Sequence, residues 1–89
     1  MFGLEIPPDW LIEILSPAQS PFLIIDKISF ALKHGTKLGW LIAPKERHIL
    51  TFQNNNLQSH QDIDILPMLE IFGDWQLLVK DVFNLLKLC

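Results

Sequence analysis

The chain has 89 residues, enough for one small domain, and the sequence predicts a single domain over 1–89. Hydrophobic residues make up 49% of the chain and charged residues 19%, a composition that excludes a disordered protein. The formal net charge of −3 argues against a broad basic surface for nucleic acid, so any such contact is expected to be local or metal-mediated. So high an apolar share in so short a chain predicts that some apolar surface faces another chain or a missing segment.

The cysteine content and the apolar runs indicate where the protein resides. The single cysteine, Cys89, excludes an internal disulfide, and the economical interpretation is a reducing, cytoplasmic compartment. No apolar run approaches the roughly 18 residues needed to span a bilayer, so no membrane partner is expected. The start of the chain also lacks the basic residues typical of a signal peptide.

The stretch at 9–15 is the predicted centre of the fold. Two prolines precede it, and its branched residues Ile12 and Ile14 favour an extended strand. Because the apolar run is nearly continuous, we expect both faces of this strand to be covered, as in a central strand of an α/β sheet. The carboxylate of Glu13 then needs a metal, a cation or water to offset its burial. The alternative is that Glu13 lies at the rim of the sheet and is solvated.

A helix is predicted from Pro21 to His34. Ser20 suits the N-cap, Pro21 the first helical position and Gly35 the position just beyond the end. Apolar side chains occupy almost the whole circumference, which predicts cover on more than one side. Lys27 lies among these apolar residues; apart from a functional role, its stem could pack there while its ammonium group reaches solvent.

The rest of the chain predicts further strands and one more helix. The predicted elements, in chain order, are strands at 37–42 and 48–53, an edge strand at 57–65, a possible strand at 75–79, and a terminal helix at 80–88 whose residues Val82, Phe83, Leu85 and Leu86 point inward. A turn at 44–47 joins the first two strands into a β-hairpin, and the asparagines at 54–56 form a tight turn. The predicted class is therefore α/β.

The titratable residues offer few candidate sites. The histidines His34, His48 and His60 have no spacing typical of a zinc site, and there is no phosphate-binding glycine loop. Asp9 and Glu13 share one face of a strand but lie about 13 Å apart at roughly 3.3 Å per residue, too far to hold one ion. A magnesium site that uses Glu13 must therefore take its second carboxylate from a different strand.

Several segments taken together resemble the C-terminal half of the Uma-two family. The segments that carry the resemblance are 8–17, Lys27, 34–42, Glu46-Arg47, 65–67 and 81–83. Proteins of that family are restriction-endonuclease-like nucleases of the PD-(D/E)XK superfamily. The resemblance implies a partial restriction-endonuclease-like core made of a strand, a helix, a β-hairpin, an edge strand and a C-terminal helix.

The resemblance also implies a function and its residues. It implies Mg²⁺-dependent hydrolysis of DNA, with Glu13 as a catalytic residue that holds the metal and Lys27 in place of the usual catalytic lysine. A divalent ion polarises the scissile phosphate and activates water, and a nearby ammonium group stabilises developing negative charge. From the position of Lys27 among apolar helix residues, we also expect its charged group to lie within about 6 Å of that of Glu13.

Two departures from the family pattern limit this expectation. The family's upstream half, with its first metal-binding Asp, is absent before Met1, and Ala43 stands where the family usually has Asp before Pro44. We therefore expect a truncated domain, either a fragment of a longer reading frame or a decayed paralogue, that is inactive alone. The alternative function is a non-catalytic interaction module that forms homo-oligomers through exposed apolar surface.

Overall fold

The computed structural model describes residues 8–54 and 56–87, which form a four-stranded sheet with one helix on each face. In chain order the elements are β1 (Trp10–Ile14), α1 (Pro21–Lys33), β2 (Leu38–Ala43), β3 (His48–Gln53), β4 (Asn56–His60), a 3₁₀ turn (Glu70–Phe72) and α2 (Val79–Leu86). The strands lie side by side in the order β1-β2-β3-β4. The predicted α/β class is confirmed. Within the described ranges, neither helix is long and apolar enough to cross a membrane.

The first unit of the fold is a β1-α1-β2 crossover. β1 and β2 are parallel, and parallel neighbours require a connection that returns the chain to the same end of the sheet. α1 supplies it, with Ser20 before its first residue and Gly35, at φ 116°, just beyond its end. Glycine is suited to this position because an L side chain is strained at positive φ. The predicted helix is confirmed to within one residue.

The second unit is an antiparallel meander. β2 pairs with β3 from Gly39↔Phe52 to Ala43↔His48, and β3 pairs with β4, as predicted for the hairpin and the edge strand. Asn54 adopts the left-handed conformation (φ 52°) at the turn into β4. β4 is shorter than predicted. Asn55 of the predicted asparagine turn, the end of the predicted terminal helix at 88, and Cys89 lie outside the described residues.

Two apolar clusters fix the helices to the sheet. On one face Ile24 and Ile28 of α1 pack against Leu41 and Phe52. The larger cluster on the other face joins α2 to the sheet through Leu38, Trp40, Ile42, Ile49, Leu66, Val79, Val82 and Phe83. Because side chains alternate along β2, its even-numbered residues face α2 and Leu41 faces α1.

Two predictions for the C-terminal region are wrong. The segment 75–79 is not a strand. Within the described ranges its sheet-type pairing is limited to one isolated bridge, Ile65↔Leu78, and α2 already begins at Val79. Leu85 is not inward but 58% exposed. A helix turns about 100° per residue, so the inward stripe follows i, i+3, i+4 from Val79 through Val82 and Phe83, and Leu85 falls outside it.

Within the described ranges, the prediction that other elements bury both faces of β1 and more than one side of α1 is also wrong. β1 is an edge strand rather than a central one, and Ile12 and Ile14 are 46% and 50% exposed. α1 is covered on one side only, since Phe22, Leu23 and Phe30 remain largely exposed. The apolar pattern indicates surface suited to burial, but no described element of this chain provides that cover.

Candidate active site

Glu13 lies near the end of β1, on the face of the sheet that α1 covers. Leu11 and Leu15, two residues before and after it, belong to the apolar cluster around α1, whereas Trp10 belongs to the opposite cluster. Since side chains alternate along a strand, the Glu13 side chain projects toward α1. The expectation of a carboxylate at the rim of the sheet is compatible with this position, because β1 is the edge strand.

Lys27 lies on the flank of α1 that faces β1. Ile24, Ile28 and Ala31 form the buried stripe of this helix. Lys27 lies next to this stripe, three residues after Ile24 and four residues before Ala31. Its side chain therefore projects beside the buried stripe. Lys27 Nζ lies 2.8 Å from Glu13 Oε2, which confirms the prediction that the two charged groups meet. Whether either residue is catalytic stays a prediction.

This ion pair is only partly shielded from water. The Lys27 side chain is 47% exposed and that of Glu13 is 21% exposed. A distance of 2.8 Å is typical of a charge-assisted hydrogen bond, in which the ammonium group donates to the carboxylate. Solvent screening at this exposure makes the pair worth at most about 1 kcal/mol of stability. The pair is thus a polar feature at an open edge rather than a major contribution to the core.

The carboxylate of Glu13 is a suitable type of ligand for a magnesium ion, but the described site has too few such ligands. Carboxylate oxygens are the ligands that Mg²⁺ prefers. Among residues 8–54 and 56–87, however, no group of three or more His, Cys, Asp or Glu side chains could hold a metal ion. Asp9 lies at the other end of β1, and Asp26 points about 100° around the helix from Lys27. At this site the described residues therefore place the carboxylate of Glu13, which is already paired with a lysine.

The three histidines make local structural contacts. His34 Nδ1 donates to the carbonyl of Phe30 (2.8 Å), and His48 Nδ1 donates to the carbonyl of Glu46 (2.6 Å). His60 Nε2 and the buried Thr51 Oγ1 share a hydrogen bond of 2.8 Å. Each histidine therefore has its own local hydrogen-bond partner, and the three contacts are separate from one another.

A cleft of about 680 Å³ lies at the opposite end of β1, and the sequence gives no signal for it. Asp9, Thr36, Lys37 and Glu70 are among its lining residues. Thr36 is 4% exposed, and its hydroxyl has no hydrogen-bond partner among the described protein atoms. Buried hydroxyls of this kind commonly bind ordered water. The cleft includes neither Glu13 nor Lys27 and forms no part of the candidate site.

Comparison with known proteins supports this description of the fold. A crystal structure titled a "putative nuclease belonging to DUF820" from Anabaena variabilis matches with a TM-score of 0.84 and 35% sequence identity. The match covers 90% of this chain and 46% of that one, so the chain spans about half the length of that protein. No curated protein gives a significant match.

The fold is of the restriction-endonuclease-like α/β class. Residues 3–80 match the family Uma2, whose description is "Putative restriction endonuclease". The chain belongs to this Uma-two family. Ala43 stands where the family resemblance implies an Asp. It is the last residue of β2 and lies opposite His48 in the hairpin.

Proposed function

We propose that this chain carries part of the active site of a Mg²⁺-dependent DNA endonuclease. Glu13 is the proposed metal ligand and Lys27 the proposed catalytic lysine. The observation that carries the proposal is the 2.8 Å contact between their charged groups. The two residues come from different elements, β1 and α1, and the family resemblance assigns both to one site.

The two side chains suit the chemistry of phosphodiester hydrolysis. A bound Mg²⁺ ion supplies Lewis-acid polarisation of the phosphate and a more acidic water molecule. The Glu13 oxygens are hard ligands, and the Glu13 side chain is 21% exposed at the edge of the sheet. The Lys27 ammonium group, held beside them, is positioned to stabilise negative charge that develops on a phosphate oxygen.

We further propose that the 89 residues correspond to a truncated endonuclease-like domain that does not cut DNA alone. One carboxylate binds Mg²⁺ weakly, because this ion dehydrates reluctantly. The net charge of −3 also repels the phosphate backbone. Over half of the Anabaena nuclease has no counterpart in this chain, and we propose that further metal ligands belong to that portion of the fold. The proposed setting is cytoplasmic, as the single cysteine suggests.

The second candidate function is a non-catalytic interaction module that self-associates. It is favoured by the exposed apolar side chains beside the candidate site, above all Ile12, Ile14, Leu23 and Phe30. Such surface is seldom left open in soluble monomers. The two functions differ in whether Glu13 binds a divalent ion.

Titration with Mn²⁺, followed by electron paramagnetic resonance, tests the proposed role of Glu13. We expect weak binding by the wild type that is lost in Glu13→Gln. We expect tighter binding by Lys27→Met, because the ammonium group 2.8 Å from the carboxylate competes with the cation and repels it.

Glu46→Gln is the matched control, since Glu46 is an exposed carboxylate in the turn between β2 and β3. It should bind Mn²⁺ as the wild type does. Equal binding by Glu13→Gln and Glu46→Gln would remove Glu13 from the metal site and leave the interaction module as the better proposal.

A further inference from the structure

The sheet has two edges with different chemistry. β4 forms one edge, and its exposed residues include the polar Asn56, Gln58 and Ser59, as expected of an edge that stays in solvent. β1 forms the other edge and presents Ile12 and Ile14, each about half exposed. An apolar edge strand is a template for pairing with another strand.

The backbone of β1 directs three residues away from the sheet. The carbonyl of Asp9 accepts hydrogen bonds from the N–H groups of Lys37 and Leu38, and the N–H of Leu15 donates to the carbonyl of Ile42. The N–H and C=O of one residue point to the same side of a strand, and the side alternates. The groups of Asp9 and Leu15 face β2, so those of Trp10, Ile12 and Ile14 face outward. No strand of the described ranges lies on that side.

Apolar side chains flank this open edge on both faces of the sheet. Ile12 and Ile14 lie on the α2 face. On the α1 face, Leu23 and Phe30 lie about one turn before and after Lys27, on the helix flank that faces β1, and are 71% and 51% exposed. We call these four side chains, with the outward backbone of Trp10, Ile12 and Ile14, the β1 edge surface. A partner strand that fits it must itself be apolar on both faces.

We propose that a second copy of this chain occupies the β1 edge surface, with the two β1 strands antiparallel and Ile12 opposite the partner's Ile12. In this register Trp10 lies opposite the partner's Ile14, and the outward N–H and C=O groups of all three residues form hydrogen-bonded pairs. The side chains of these pairs form one continuous apolar row on the α2 face. Pairs of aromatic and β-branched residues across strands stabilise a sheet.

The charges on the other face permit this arrangement. Each Glu13 lies opposite the partner's Leu11, so the two Glu13 residues are diagonal neighbours about 7–8 Å apart. Each keeps its own Lys27 at 2.8 Å, so two neutral ion pairs meet rather than two bare carboxylates. The partner thereby contributes its own Glu13–Lys27 pair to the candidate site.

The helices also leave room for the pairing. α1 packs over β2 and β3 rather than over the open edge. The two copies of α1 would therefore lie about three to four strand spacings apart, roughly 14–19 Å. A helix with its side chains is about 10–12 Å wide, so both fit, and Leu23 and Phe30 line the groove between them.

Sedimentation velocity of the full chain at micromolar concentration tests the pairing. We expect a dimer for the wild type and a monomer for Ile12→Lys, because a lysine at the centre of the edge blocks strand addition. Gln58→Lys adds the same charge to the polar β4 edge and should remain a dimer. Thermal unfolding followed by circular dichroism confirms that each variant is folded.

A cysteine cross-link tests the register independently of stability. In a Cys89→Ser background, Ile12→Cys should form an intermolecular disulfide, because Cα atoms of a hydrogen-bonded pair lie about 5.5 Å apart. Ile14→Cys should not, since the two copies of residue 14 would lie about 14 Å apart. A monomeric wild type, a dimer lost in Gln58→Lys but kept in Ile12→Lys, or a cross-link at 14 and not at 12 would each overturn the proposal.

Discussion

Replacing Ile28 by alanine is expected to lower the free energy of unfolding by about 2–5 kcal/mol. Ile28 is completely buried in the cluster that joins α1 to the sheet, between Ile24, Leu41 and Phe52. The substitution removes apolar contacts and leaves a cavity that a rigid sheet cannot close. Small domains have a total stability of only about 5–15 kcal/mol, so this single change affects a large part of it.

Urea unfolding measures the effect of Ile28→Ala, and Phe22→Ala is its control. Phe22 lies on the same helix but is 74% exposed, so its truncation should change the free energy of unfolding by no more than about 0.5 kcal/mol. Equal losses for the two variants would mean that α1 does not pack on the sheet through Ile28.

Replacing Gly39 by alanine is expected to cost about 1–3 kcal/mol, although alanine usually suits a strand better than glycine. A Cβ atom at position 39 would overlap Ile28 Cγ2, and Phe52 Cβ would lie 3.7 Å away. Ile28 is fully buried, so its branch methyl has no free space into which to move. Gly39 is therefore required for the close approach of α1 to β2.

A double-mutant cycle separates this close contact from a general loss of stability. Ile28→Ala removes the methyl group that the new Cβ atom of Gly39→Ala would meet, so the double variant should be less destabilised than the sum of the two single variants. Additive losses in urea unfolding would show that the two positions do not touch.

Local signals were sufficient to predict most of the elements. Ser20, Pro21 and Gly35 mark the ends of α1, and the turn at 44–47 marks the hairpin, because each depends on the conformations that a few residues adopt by themselves. The prediction of a strand at 75–79 was wrong because β-propensity indicates that residues suit a sheet. It does not indicate whether a neighbouring strand is available to pair with them.

The position of β1 could not be predicted from its residues. Ile12 and Ile14 belong to a run suited to cover on both faces, yet they are half exposed at the edge of the sheet. The apolar pattern indicates a strand suited to burial, and no described element of this chain covers it. The same reasoning explains the exposed side chains of Phe22 and Leu23 on α1.

The site was predicted in part. The meeting of Glu13 and Lys27 followed from the family resemblance and from the place of Lys27 among apolar helix residues, and the 2.8 Å ion pair confirms it. A second carboxylate could not be found by any local rule, since the oxygens that hold a metal come from separate elements brought together by the fold. The roles of the two residues in catalysis stay predictions.

Nicking of supercoiled plasmid DNA tests the central claim most directly, namely that this chain holds an incomplete metal site. The wild type, Glu13→Ala and the control Glu46→Ala are incubated with Mg²⁺ or Mn²⁺, and relaxed DNA is measured over time. We predict no metal-dependent cleavage by any of the three, because one lysine-paired carboxylate binds the ion too weakly. Cleavage that requires the ion, persists in Glu46→Ala and vanishes in Glu13→Ala would contradict this claim.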